Sequence, residues 1–302
     1  MSLYQVISRE GVEAVCATFE AQDPTGYGRI LRAPEGFSIV EEKDADVEQK
    51  QVHEVNSGLY MMRTSYILQH LDSIDDHNAS GEFYLTDLFS EGRKVKALAF
   101  QDPQTFLGIN DLRQLEMAER ELRKRKVESL FGHGVRFLDS RHCYIDDTVE
   151  VEEGCTIYPN VFLQGKTYVK SGSVLGPGCI VKDTGIGEEV EVLAYSHIEK
   201  AQIDDRATIG PFARLREGSH LESTAKVGNF VETKKARLGE GAKVNHLSYV
   251  GDAEIGDNTN IGCGFITCNF DGKDKHLTKI GKNSFIGSDC QTIAPVEIGE
   301  EC

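Results

Sequence analysis

The stretch that decides the fold is IGPFARLREGSHLESTAKVGNFVETKKARLGEGAKVNHLSYVGDAEIGDNTNIGCGFIT, residues 209–267, where an aliphatic residue or threonine returns at nearly every sixth position. Ile209, Leu215, Leu221, Val227 and Thr233 keep this step, as do Leu238, Val244 and Val250. The row continues outward, back through Ile203, Val192, Val181, Val169 and Ile157 to Ile145, and forward through Ile280, Ile286 and Thr292 to Ile298. A period of six fits neither a helix nor a long alternating strand. It marks a hexapeptide β-helix, in which each short strand turns one side chain inward and then rounds a corner.

The irregular steps fix the winding. Four are five residues long (Val181 to Ile186, Ile198 to Ile203, Thr233 to Leu238, Val250 to Ile255), and one, Thr267 to Ile280, is thirteen. Counted in threes along the row, all five fall at one phase, an agreement that chance gives about once in a hundred. Three hexapeptides therefore make one coil of a triangular prism, and one of its edges tolerates shortening or insertion.

Composition sets the bounds. A length of 302 residues accommodates about two domains. No apolar run reaches membrane-spanning length and no secretory leader is evident, so neither a membrane partner nor secretion is expected. The eight cysteines are scattered and form no C-x-x-C pair, which fits a reducing cytoplasm. A net charge of -16 argues against a nucleic-acid partner, and it makes any local basic cluster informative.

Residues 1–110 read as an α/β piece. AVCATFEA, FSIVEE, SGLYMM and KALAF have strand character, TSYILQHLDSI has helical spacing, and GEFYLTDLFSEGRKV is expected to be a helix stopped by its glycine. LRQLEMAERELRKRKVESLF, with Leu112, Leu115 and Leu122 on one side, is read as a solvated connecting helix in a linker over 111–137. The β-helix domain then occupies 138–302.

Offsets from the inward row place side chains on the prism. Arg216 and Lys234 each follow an inward residue and lie eighteen residues apart with no irregular step between, so they stack on one face, one coil apart. Two stacked cations on an acidic protein invite an anion between them, and phosphate suits the site. Glu232 and Tyr249 share that face at the preceding offset. His246, Cys263 and Ser288 each lie two after an inward residue and stack along the bordering edge, with Asn260 approaching from the other face. An unassisted reading leaves a lone corner histidine more often a surface residue than a base. Three zinc-binding histidines, as in a γ-type carbonic anhydrase, are not expected, because His197, His220, His246 and His276 sit at different offsets and offer no closely spaced pair.

DPTGYGRI, IVEEKDA, EVNSG, GEFYLTD and GIND, followed by VGNFVETKKARLGEGAKVNHLSYVGDAEIGDNTNIGCGFITCNFDGKDKH and IGSDCQTIAPVEIG, resemble the bacterial bifunctional N-acetylglucosamine-1-phosphate uridyltransferase / glucosamine-1-phosphate acetyltransferase family. The resemblance implies part of a Rossmann-like nucleotidyltransferase domain, a linking helix and a left-handed parallel β-helix assembling as a homotrimer. It implies acetyl transfer from acetyl-CoA to the amine of glucosamine 1-phosphate, on the route to UDP-N-acetylglucosamine. His246 would be the general base, a task that suits an imidazole titrating near neutrality. Arg216 and Lys234 would hold the sugar phosphate, and Tyr249 and Asn260 the sugar. Cys263, Asn269, Phe270 and Ser288 would lie along acetyl-CoA. Gly28, Glu41, Asn56 and Asn110 match positions that contact the UDP-sugar, with Asn110 also near Mg²⁺.

The departures matter. The family's glycine-rich phosphate loop (G-x-G-x-R-M) and its magnesium-binding aspartate have no counterpart here, so uridyl transfer by this chain alone is not expected and its Mg²⁺ site is incomplete. Phenylalanine stands at 270 where relatives commonly have tyrosine, and cysteine at 263 where they have alanine. A trimeric β-helix that binds ligand without turnover is the competing reading.

Overall fold

The computed structural model describes residues 2–9, 11–34, 36–90, 92–106, 108–109 and 111–302. The chain separates into two compact units, Met1–Ala118 and Glu119–Cys302.

In the first unit a five-stranded sheet contains β1 (Ala14–Glu20), β2 (Arg29–Ala33), β3 (Gly36–Val40), β4 (Glu54–Met62) and β5 (Val95–Phe100), in the order β3-β2-β4-β1-β5. β1 lies parallel to β5 and antiparallel to β4, and both of its faces are covered. Ala14 and Cys16 face Phe37, Tyr66, Leu88 and Phe89, while Val15 and Ala17 face Val6, Ile7 and Val12. The helices are short. α1 (Leu3–Ile7) starts in a capping box between Ser2 and Gln5, and α2 (Thr64–His70) buries Tyr66. The α/β expectation is thus met in part, because the sheet is mixed and only one of its pairings is parallel.

One expected element is corrected. GEFYLTDLFSEGRKV forms no α-helix over its described residues; Leu85–Leu88 makes a single 3₁₀ turn. Aromatic residues, threonine and aspartate propagate a helix poorly. Tertiary contacts also claim the segment, since the Tyr66 hydroxyl donates to the Leu88 carbonyl at 2.5 Å and Thr86 Oγ1 to Glu41 at 2.9 Å. α3 (Leu112–Gly132) forms as expected, but Val127 and Leu130 are its buried residues, and Leu112, Leu115 and Leu122 are exposed. Among the described residues no helix is long and apolar enough to cross a membrane.

The second unit is a three-sided parallel β-helix. A nine-stranded sheet from Arg136–Phe137 to Phe285–Ile286 forms one side, and a sixteen-stranded sheet covers the other two, because Glu232–Leu238 and Tyr249–Ile255 each bend across both. Every pairing within these sheets that joins one coil to the next is parallel, and the register runs inward residue to inward residue: Leu215 on Thr233, Thr233 on Val250, Val227 on Val244. The aliphatic row is the core, with Ile157, Leu175, Ile209, Val227 and Val250 fully buried. The threonines in that row are satisfied: Thr233 meets Ser219 Oγ at 2.8 Å, and Thr267 Oγ1 donates to Gly251 O at 2.9 Å.

The irregular phase corresponds to one edge. Each five-residue step rounds the corner on a single residue with positive φ, namely Asp183 (47°), Lys200 (48°), Lys235 (47°) or Asp252 (44°). Six-residue steps turn on left-handed residues as well, at Phe212 (56°) and Phe230 (56°), so the left-handed residue by itself does not account for the shortening. The thirteen-residue step leaves from the same edge.

Candidate functional site

The clamp face is built by three consecutive coils. Arg214 pairs in register with Glu232, Glu232 with Tyr249, and Lys234 with Gly251, so the cations and the tyrosine share one wall. Arg216 Nη1 contacts Glu232 Oε1 at 2.8 Å, and Arg214 Nη1 lies 3.7 Å from Glu232 Oε2. Arg216 is therefore already partnered, and its bond to Glu232 holds the guanidinium charged. A Cβ on Gly251 would meet the Tyr249 ring, its Oη at 2.4 Å; the missing side chain lets that ring lie along the face above Lys234. Lys234 is the centre of positive charge. The Lys275 amine in contact with it pushes its ammonium below the usual lysine range, and Arg216 adds to the effect.

His246 ends the strand Lys243–His246, whose partner strand Lys226–Asn229 brings Asn229 beside it. The imidazole Nδ1 lies 3.1 Å from Asn229 Oδ1. An amide oxygen only accepts, so Nδ1 donates, and it is Nε2 that carries the lone pair in the neutral ring. Cys263 and Ser288 occupy the same corner one and two coils further on, the two coils joined there by Asp289 N donating to Cys263 O at 2.8 Å. Asn260 sits on the neighbouring side, between Lys243 and Phe285 in register. Asn269 is buried and its amide donates to the Asp252 carboxylate, while Phe270 is exposed.

The unit-one candidates also converge. Asn56 N donates to Gly28 O at 2.8 Å, and a Cβ on Gly28 would lie 3.2 Å from a Glu41 carboxylate oxygen. The Asn56 amide is oriented by Tyr60, whose hydroxyl accepts from Nδ2 at 2.6 Å, and by the Cys16 thiol at 3.4 Å from Oδ1. Burial pushes the Tyr60 hydroxyl up to about 12 and the Cys16 thiol to about 12. Asn110, assigned to UDP-sugar and metal from the sequence, lies outside the described residues. Among the described residues no group of three His, Cys, Asp or Glu side chains could hold a metal ion.

Sequence reasoning missed Asn229 and Lys275. Asn229 carried a usable signal, since it lies two after Val227 just as His246 lies two after Val244. Lys275 carried none, because it sits in the long excursion where offset from the row has no meaning.

No family model matches the sequence. It is 44% identical over 279 residues to "Bifunctional protein GlmU" of Thermosipho africanus, covering 92% of this chain and 61% of that protein. It is 41% identical over 292 residues to the protein of the same name from Thermotoga petrophila, covering 97% of this chain and 65% of the relative. Among solved structures, UDP-N-acetylglucosamine acyltransferase from Campylobacter jejuni aligns over 50% of this chain and 65% of its own at 16% identity, with a TM-score of 0.34. The chain is thus a homologue of the bifunctional GlmU proteins along almost all of its own length, and it spans somewhat under two thirds of theirs.

Proposed function

We propose that the β-helix transfers an acetyl group from acetyl-CoA to the amine of glucosamine 1-phosphate, giving N-acetylglucosamine 1-phosphate. The observation that carries this reading is His246 with Nδ1 tied to Asn229, its Nε2 free at an edge bordering the Arg216, Lys234 and Lys275 cluster. The amine nitrogen attacks the thioester carbonyl, and Nε2 of His246 takes the proton that the amine sheds. The carbon–sulfur bond breaks, and the coenzyme leaves as a thiolate that is then protonated. Arg216, Lys234 and Lys275 hold the phosphate, with Tyr249 and Asn260 toward the sugar. Cys263, Phe270 and Ser288 line the path of acetyl-CoA, with Asn269 bracing the loop that carries Phe270.

A homotrimer located in the cytoplasm belongs to the same reading. Its support is an exposed apolar ladder at the corner below His246, where the rings of Tyr195, Phe212 and Phe230 stack at 5.3 and 5.5 Å. The first unit, by its Gly28, Glu41 and Asn56 cluster, is the part that meets UDP-N-acetylglucosamine. The sequence as given contains no G-x-G-x-R-M loop, and UTP-dependent turnover is not expected of it.

The test is acetyl-CoA-dependent release of free coenzyme thiol in the presence of glucosamine 1-phosphate. Wild type turns over, and His246→Ala loses about 10²- to 10⁴-fold in kcat. Equal inertness of the two would instead favour a binding-only β-helix.

A further inference from the structure

The excursion between Cys268 and Thr278 is a closed hairpin. Phe270 and Lys275 form an antiparallel bridge, Asp271 N donates to Asp274 O at 3.2 Å, and Gly272 turns the tip at φ 99°. The Asp271 carboxylate ties the hairpin together. Its Oδ1 accepts from the amides of Lys273 and Asp274 at 2.8 and 2.7 Å, and its Oδ2 accepts from His276 Nε2 at 2.7 Å. The His276 amide in turn donates to Asn269 O at 2.8 Å, closing the base.

Lys275 lies between the bridge to Phe270 and the anchor at His276, with its amine against that of Lys234. Two ammonium groups repel, so nothing in their own contact keeps them together before an anion arrives. The backbone of the hairpin has to hold Lys275 in place, and the return arm of that hairpin is fixed through His276. We propose that His276 is a positioning residue: through Asp271 it shapes the 269–277 hairpin so that Lys275 stays beside Lys234, where both meet the phosphate of the sugar substrate. This rests on the acetyltransferase reading of the site. The hydrogen bonds from Asp274 and His276 hold the Asp271 carboxylate well below the usual range, so the anchor remains an anion.

The experiment is calorimetric titration of the full chain with glucosamine 1-phosphate, paired with steady-state kinetics. His276→Ala is expected to raise Kd and KM about tenfold while kcat stays within about twofold, the size of one lost charged contact. His276→Gln, which presents a donor near the position of Nε2, restores binding to within about twofold of wild type. Lys275→Ala weakens binding by a similar factor, and adding His276→Ala to it has no further effect, because the histidine acts through the lysine. The unfolding midpoint of each variant stays that of wild type. An equal loss on adding His276→Ala to Lys275→Ala, a glutamine no better than alanine, or wild-type binding by His276→Ala while Lys234→Ala binds weakly overturns the role of His276 and leaves the acetyltransferase reading standing. Absence of binding by wild type, or wild-type affinity in Lys234→Ala, overturns both.

Discussion

At His246 the chemistry turns on which ring nitrogen carries the proton. Asn229, one coil below, accepts from Nδ1, so in the proposed reaction Nε2 is the atom that would take the proton. Removing that acceptor frees the ring to rotate and to exchange tautomers, so Asn229→Ala is expected to lower kcat about tenfold with KM for glucosamine 1-phosphate within about twofold. Steady-state kinetics on the variant checks this; an unchanged kcat would show that the ring needs no orienting partner. The places of His246, Arg216 and Lys234 on the prism were legible in the sequence, because each stands at a defined offset from a buried row. The sequence was less informative about charge. The stacked cations were expected to await an anion, yet Arg216 already rests on Glu232 and the open positive charge has moved to Lys234 and Lys275. Side-chain pairing of this kind depends on rotamers, which an offset does not specify.

At the scale of the strand, two short segments hold His246 and Asn229. Lys226–Asn229 and Lys243–His246 pair along their length, and at Gly228 they pass so closely that a Cβ would sit 1.9 Å from the Asn245 carbonyl oxygen. Gly228→Ala is therefore expected to destabilise the β-helix by at least about 2 kcal/mol, through overpacking against backbone that cannot rotate away. It should also depress acetyl transfer, since the displaced residue precedes His246. Denaturant unfolding and the coenzyme-release assay read the two effects, and wild-type behaviour in both would refute the contact. Elsewhere, element type was legible where the pattern was long and failed where it was short. GEFYLTDLF has the apolar spacing of a helix, but Leu88 and Phe89 enter the core from a single 3₁₀ turn and Tyr66 takes the carbonyl a helix would need.

Across the whole molecule, the thiols report how the cores respond to pH. Burial raises the Cys16 thiol from 9.0 to about 12, and those of Cys143 and Cys179 to about 11. Above pH 9 the unfolded chain loses these protons while the folded chain keeps them, so the unfolded state binds fewer protons and stability falls as pH rises. The contribution is fully present below pH 9 and is lost progressively up to about 11 to 12. Denaturant unfolding of the β-helix at pH 8 and pH 10.5 is expected to show this loss, with a flatter dependence in Cys179→Ala. Identical slopes in the variant and the wild type would rule out the Cys179 contribution. For Cys143 and Cys179 the cost falls within the stacked coils themselves, where each coil is stabilised mainly by its neighbours.

The sequence by itself determined the winding: a repeat of six with its exceptions at one phase admits a three-sided prism, because each inward position must be small and apolar to fit between the coils above and below. It also determined that Arg216 and Lys234 lie one coil apart on one face, since each follows an inward residue and Leu215 pairs in register with Thr233. Tertiary structure alone decided that Asn229 orients His246, that Glu232 pairs with Arg216, and that a hairpin brings Lys275 onto Lys234. Those contacts join side chains whose directions are set by corners and loops, where the local pattern repeats nothing that could be counted.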